Sequence, residues 1–286
     1  MEMELRLIAA RSGRLSSFLR QELKMSAGLM NKLKWGDAIR VNGIPQHTDY
    51  AVVPGDTVTV RLDEPVPDYP AEDGPLTVIY EDDHILAVDK PAGMLIHPSR
   101  GKNDGTLANL VLGYYRRTGQ SSAFHPVTRL DRDTFGIVLL AKHAHAHALL
   151  QQTPLQKTYH ALTLGGPAED TGIIDAPIAR RPLPSLLRFI HPEGKPSVTE
   201  FRVLRRGEVC LLALRPITGR THQLRLHCAH MGFPILGDPQ YGSGESIAWS
   251  DARGITGQRL CARELAFFHP ITGQPLNLVS RMDVTP

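Results

Sequence analysis

Four ionisable side chains, Arg129, Asp131, Arg132 and Asp133, fall within five positions, directly ahead of the apolar, β-branched run from Gly136 to Ala141. A run of that composition reads as a buried strand. A carboxylate between guanidinium groups at the mouth of such a strand is where a fold can hold a reactive group rigidly. Taken alone, the string reads first as a charged turn with solvated side chains.

Other chemistries find less support. No GxGxxG, no phosphate-cradling GxxxxGK[ST] loop and no convincing metal spacing occurs. His143 and His147 are four apart, a spacing that can bind metal on a helix, but no acidic or thiol third ligand is near, so an exposed helix with incidental histidines is expected. His222, His227 and His230 do not share one helical face. The expectation is no metal and no cofactor. Cys210, Cys228 and Cys261 are widely spaced without a CxxC pair and read as reduced thiols of a cytoplasmic protein. No apolar run reaches the roughly 18 residues that span a bilayer, and the N-terminus does not resemble a secretory signal.

The elements that must position these groups follow from the pattern. Residues 14–24 place Leu15, Phe18, Leu19 and Leu23 on one helical face. Ser26 is placed to cap a second short helix through Lys34, Asn42-Gly43 makes a turn, and TVTVRL from Thr57 alternates as a strand. Residues 63–75 are Pro-rich and acidic and read as an extended linker. A hairpin is expected across Asp82-Asp83, a helix over 104–118, and a strand over 157–166 that carries Tyr159. A strand tyrosine is ordinarily core, with its hydroxyl partnered. Residues 176–196 read as an irregular connection. A second hairpin crosses Arg206-Gly207, and a helix after GRTHQ puts Leu224, His227, Cys228 and Met231 on one face. Net charge is +3, and all of the excess lies in residues 1–62, with nine Lys or Arg against six Asp or Glu. That suits a small module touching a polyanion.

Read together, HPVTRLDRDTFG, YEDDHILAVDKPAGMLIHP, the KTY triplet, TGRTHQLRLHCAHMGFPILGDPQYG and RLCARELAFFHPITGQPLNL resemble the motifs of RluA-type RNA pseudouridine synthases, in order and over essentially the whole chain. Thr128 stands where that family usually has His, and Phe135 where it usually has Ser. The resemblance implies Asp131 as the catalytic carboxylate, Tyr159 packed against it, and Arg220 as its ion-pair partner. It also implies Arg129 filling the space of a flipped base, with Thr134 kept beside it; Lys90 is read as structural or as a weak phosphate contact, with no chemistry of its own. Two helices followed by VNG and PGDTVTV resemble the alpha-L RNA-binding domain. There Arg14, Lys24, Lys32, Lys34 and Arg40 are the phosphate-contact candidates, supplying salt-dependent affinity without reading sequence.

The expected fold is α+β. A mixed, largely antiparallel sheet flanked by helices forms the catalytic domain (76–286). A small α/β RNA-binding domain (1–62) is tethered to it through a mobile linker (63–75). The implied reaction breaks N1–C1′ of uridine, turns the base and joins C5 to C1′, with no redox step or metal. It needs an ionised carboxylate near the sugar or base, and a fixed cation opposes the upward pKa shift of a dry pocket. Asp131 could add to C1′ or to C6, or take the C2′ proton; sequence leaves all three open. The target must also leave its stack. RNA is the implied partner, ribosomal more than transfer RNA, with no membrane and a monomeric enzyme. The other reading is a catalytically silent RNA-binding or ribosome-assembly protein on the same fold; a glycoside or nucleotide hydrolase lacks an obvious second carboxylate at the central motif, and release of free uracil from RNA would revive it.

Overall fold

The structure is a computed structural model that describes residues 2–64, 67–99, 101, 103–182, 185 and 187–285. Pro65 and Val66 of the expected linker, and Leu183, Pro184 and Leu186 of the expected irregular connection, lie outside the described residues.

The N-terminal unit runs β1 (Glu2–Ile8), β2 (Gly13–Arg14), α1 (Leu15–Gln21), α2 (Ala27–Leu33), β3 (Ile39–Val41), β4 (Ile44–Pro45), β5 (Ala51–Val52) and β6 (Thr57–Asp63). Its main sheet is ordered β1-β6-β3-β4. The first strand was not anticipated; it pairs antiparallel along all of β6, from Glu2↔Asp63 to Ile8↔Thr57. Asn42 and Gly43 both take positive φ (52° and 81°), as a two-residue turn between β3 and β4 needs. Ser26 Oγ accepts from Leu29 N and caps α2. Leu15, Phe18 and Leu19 of α1 bury against Val58 and Val60 in one core.

The larger unit continues with β7 (Thr77–Glu81), β8 (Ile85–Lys90), α3 (Leu107–Arg117), β9 (His125–Pro126), β10 (Phe135–Ala141), α4 (Ala144–Leu150) and β11 (Gln156–Leu164). Then come β12 (Thr171–Asp175), β13 (Ile178–Arg180), β14 (Arg188–Ile190), β15 (Val198–Arg205), β16 (Val209–Pro216), α5 (Gln223–His230), α6 (Gly244–Asp251), β17 (Leu260–Phe268) and β18 (Pro275–Val279). The great sheet is ordered β12-β15-β16-β11-β17-β10-β8-β7, with β18 beside β17 and β9 beside β10. Its pairings are antiparallel except at the centre, where β10 meets β17 in parallel through Phe135↔Cys261 and Gly136↔Ala262. The fold is therefore the expected α+β one with a mixed, largely antiparallel sheet.

The parallel seam requires a glycine. Gly136 has φ +105°, and a Cβ there would stand 2.4 Å from the Ala262 carbonyl oxygen. Removing the side chain lets the two strands close, and it sets where the Asp131 loop leaves the sheet.

The linker differs from the mobile tether expected. Glu64 is buried, its Oε2 2.8 Å from His125 Nε2 while Oε1 accepts from Ala144 N at 2.7 Å. Glu72 accepts from Gly105 N at 3.0 Å, and Asp73 pairs with Arg116 and Arg117. Gly113 of α3 lets the chain cross, since a Cβ there would lie 1.8 Å from the Glu72 carbonyl oxygen. The acidic residues of this segment find an imidazole, amides and guanidinium groups on the larger unit. The histidines of α4 differ too. His143 is buried and caps the helix by accepting from Ala146 N, and His145 Nε2 lies 2.7 Å from the Leu23 carbonyl of the N-terminal unit.

Candidate active site

Asp131 lies on the loop between β9 and β10, lining a pocket of about 640 Å³ with Arg129, Tyr159, Arg220, His222 and Arg225. That volume falls in the roughly 300–1,000 Å³ span of small-molecule sites.

Three fastenings hold the loop. The Lys90 ammonium, fully buried, donates to the carbonyls of Pro91 and Met94 at 2.9 Å and of Arg132 at 2.8 Å. Three protons meet three acceptors, so the backbone beside Asp131 is fixed. Burial draws the Lys90 pKa down to about 8, against the charges of Asp133 and Asp131. Thr128 Oγ1 accepts from Leu139 N at 2.9 Å and ties the start of the loop to β10. Thr134 Oγ1 accepts from Gln258 Nε2 at 2.7 Å. Thr134 lines the pocket but is buried, so the residue expected beside the substrate also anchors the loop. Phe135 packs with Leu162, Cys261 and Val284.

The ion pair expected between Asp131 and Arg220 is made instead by Arg225. Its Nη1 lies 3.0 Å from Asp131 Oδ2, while Nε and Nη2 grip Asp238 at 2.7 and 2.8 Å and Nη2 also donates to Gln240 Oε1. The reason is positional. Arg225 sits in the first turn of α5, facing inward and 6% exposed; Arg220 sits on the exposed turn before it, its Nε donating to the Pro196 carbonyl at 3.2 Å. Burial works against the Arg225 charge, but the Asp238 carboxylate and then Asp131 outweigh it and raise its pKa further. A bidentate carboxylate grip leaves one amino group of the fork to aim at Asp131.

Gln223 shapes the turn that carries Arg220. Its Oε1 accepts from Thr218 Oγ1 at 2.8 Å and Arg220 N at 3.0 Å, and its Nε2 donates to Val198 O at 2.9 Å. His227, once weighed as a metal ligand, is a buried tie to Ala176 O and Thr199 Oγ1. Met231, expected on one helical face with Leu224, His227 and Cys228, is 45% exposed just past the end of α5.

Strand alternation puts Tyr159 and Lys157 of β11 on the same pocket wall. Burial, and then the Asp131 charge, push the Tyr159 phenol above its ordinary pKa, so it keeps its proton. Arg129 stands exposed on the pocket lining. His222, like Arg225, is a residue that sequence reasoning missed. It was weighed only as a metal ligand, yet its Nε2 is 3.9 Å from Asp131 Oδ2. The available signal was its place in the GRTHQ turn, two residues past Arg220.

Of the five cations expected to meet RNA phosphates, Arg14, Lys24 and Lys32 are exposed around α1 and α2. The Lys34 ammonium sits 4.9 Å from the Trp35 ring centroid. Arg40 is committed to Asp37 at 2.8 Å, which Arg61 also pairs at 2.6 Å.

Residues 84–230 match the family described as RNA pseudouridylate synthase. An uncharacterised RNA pseudouridine synthase of Bacillus subtilis, YjbO, is 36% identical over 259 residues, spanning 88% of this chain and 89% of its own. The ribosomal large subunit pseudouridine synthase D of Escherichia coli O6:H1 is 36% identical over 235 residues, spanning 78% of this chain and 72% of its own. The solved structure of human RNA pseudouridylate synthase domain containing 1 superposes with a TM-score of 0.59, covers 76% of this chain and 93% of its own, and shares 24% identity, which shows a common fold. The chain belongs to the RNA pseudouridylate synthase family. It is an isomerase acting on uridine in RNA. Among the described residues, no helix is long and apolar enough to cross a membrane.

Proposed function

We propose that this synthase isomerises specific uridines of large-subunit ribosomal RNA in the cytoplasm. Asp131 is the reacting carboxylate, Arg225 its fixed counter-charge, and Tyr159 a neutral phenol beside it. The observation that carries this reading is the Arg225 contact to Asp131 Oδ2 at 3.0 Å, in a pocket that also holds Tyr159. The pairing sets a fixed counter-charge beside the carboxylate and fixes its direction. Relatives named as ribosomal large subunit synthases support the substrate.

Arg129, exposed on the pocket lining, takes the space left by the flipped base, which leaves its stack at a cost of a few kcal/mol. Arg220, exposed beside the same pocket with its Nε on the Pro196 carbonyl, meets the RNA backbone through the rest of its guanidinium. The N-terminal unit holds structured RNA through Arg14, Lys24, Lys32 and Lys34, with Arg40 restrained by Asp37.

Pseudouridine mapping on RNA from a strain lacking this gene tests the assignment. Sites in large-subunit RNA should disappear, return with the wild type and stay absent with Asp131→Asn. Loss of sites in transfer RNA alone contradicts the substrate; restoration by Asp131→Asn contradicts the carboxylate.

A further inference from the structure

The Asp131 carboxylate has a second neighbour whose geometry neither the ion pair nor the fold accounts for. His222 precedes α5 in the left-handed region, φ +57° and ψ +20°, which a non-glycine residue adopts only when its surroundings over-determine it. That backbone brings Nε2 to 3.9 Å from Asp131 Oδ2. At the other side of the ring, Nδ1 is 2.8 Å from Tyr241 Oη, and Tyr241 Oη accepts from Arg188 N at 3.1 Å.

This chain assigns the protons. A lone pair on Nε2 would face a carboxylate, so Nε2 carries the hydrogen. Nδ1 is then an acceptor, and the Tyr241 hydroxyl, already accepting from Arg188 N, supplies its own hydrogen to Nδ1. The ring faces Asp131, Asp238, Arg225 and Arg188. Burial lowers its pKa, the two arginines lower it further and the two aspartates oppose them, so the ring is neutral at neutral pH.

We propose that His222 is a positioning residue for the isomerisation: its Nε2–H closes onto Oδ2 of Asp131 when uridine enters, completing with Arg225 a two-donor grip that leaves Oδ1 for the substrate. Contacts that are long before substrate arrives commonly tighten on binding. Arg225 supplies charge, whereas His222 supplies direction without charge. Protonating the ring would add a second cation beside Asp131 and make the carboxylate a poorer base and nucleophile. The inference rests on Asp131 being the reacting carboxylate.

The test uses full-length protein in excess over RNA carrying tritium at C5 of uridine, isolated from cells lacking the gene, with tritium release followed from about pH 5 to about pH 8, the imidazole window. His222→Asn keeps a residue that tolerates the left-handed backbone, so folding is preserved. The expected result is a loss of about 10- to 100-fold in rate for His222→Asn, since small misplacements of a reacting group cost that much. RNA binding stays within about twofold, because only the orientation of the reacting group is lost. Wild type loses activity as pH falls through the His222 pKa, which burial holds below its ordinary 6.5, and the variant lacks that limb. Tyr241→Phe shifts the imidazole 15N signals away from a single Nε2–H tautomer. A His222→Asn variant at wild-type rate with the acid limb intact, or an Nδ1–H tautomer in the wild type, overturns the proposal. Asp131→Asn is run alongside: if it remains active, the failure lies with Asp131; if it is dead while His222→Asn is unimpaired, the failure lies with His222.

Discussion

Arg225 reaches Asp131 Oδ2 at 3.0 Å with the one amino group that its bidentate grip on Asp238 leaves over. Asp238 is 2% exposed, so this second carboxylate acts from the interior and fixes the guanidinium before any substrate arrives. Preorganisation of this kind puts the cation in place without reorganisation at the moment of reaction.

The first prediction separates the two arginines. Arg225→Lys keeps a charge but not a fork, and single-turnover rate should fall about 100-fold, as when a preorganised donor is lost. Arg225→Met also leaves Asp238 buried and unpaired, and thermal unfolding should show a loss of about 3–5 kcal/mol. Arg220→Ala, at an exposed turn, should change stability by less than about 0.5 kcal/mol and weaken RNA binding more than chemistry. Equal losses of rate in Arg225→Lys and Arg220→Ala would argue that the ion pair does not set Asp131's reactivity.

The pH profile should carry an alkaline limb from Lys90. Its pKa is about 8 in the folded enzyme against an ordinary 10.5. Above about 8 the ammonium loses one of the protons that bind three carbonyls, the loop holding Asp131 loosens, and the rate falls. Global stability moves the other way. Between the two values the unfolded chain binds the proton that the folded one has released, so stability rises with pH. Lys90→Met should be slow at every pH and lack the limb; a wild-type limb in that variant would assign it to another group.

How much of this was legible beforehand varies by residue. Asp131, Tyr159 and Arg129 were found through the resemblance of the RLD and KTY strings to the family's motifs, and the structure brings all three to one pocket. The hairpin across Asp82-Asp83 and the α2 cap at Ser26 followed from turn chemistry and local hydrogen bonding. Arg225 was not legible: it lies five positions past Arg220, and only the direction of α5 shows which guanidinium points inward. Its partner Asp238 lies in a turn that no periodicity connects to the helix. The docked linker was missed for a related reason. Acidity reads as solvated until the partners of Glu64, Glu72 and Asp73 are placed by tertiary structure.

Gly136→Ala should destabilise the enzyme. The variant combines φ +105° with a Cβ 2.4 Å from the Ala262 carbonyl oxygen, both at the parallel seam. Strain and overpacking together should cost at least about 2 kcal/mol, lowering Tm by roughly 5 °C or more. A Tm unchanged by the substitution would mean that β10 and β17 do not approach as closely as described.

Glu64 should govern how tightly the N-terminal unit docks. Burial opposes its charge, but the His125 hydrogen bond and the Ala144 amide outweigh that and hold its pKa below the ordinary 4.5. Its contribution is therefore present above that value and lost as pH falls through the lower folded one. Glu64→Ala should raise hydrogen exchange at Ala144 and the first turn of α4, by an opening cost reduced about 1–3 kcal/mol. Unchanged protection there would show that docking rests on other contacts.

The most direct test of the central claim is tritium release from C5-labelled uridine in RNA by purified Asp131→Asn, an isosteric change that removes the charge Arg225 is placed to hold. The account predicts RNA binding close to wild type with no release above background. Release at a wild-type rate would contradict it and move the reacting group elsewhere in the pocket.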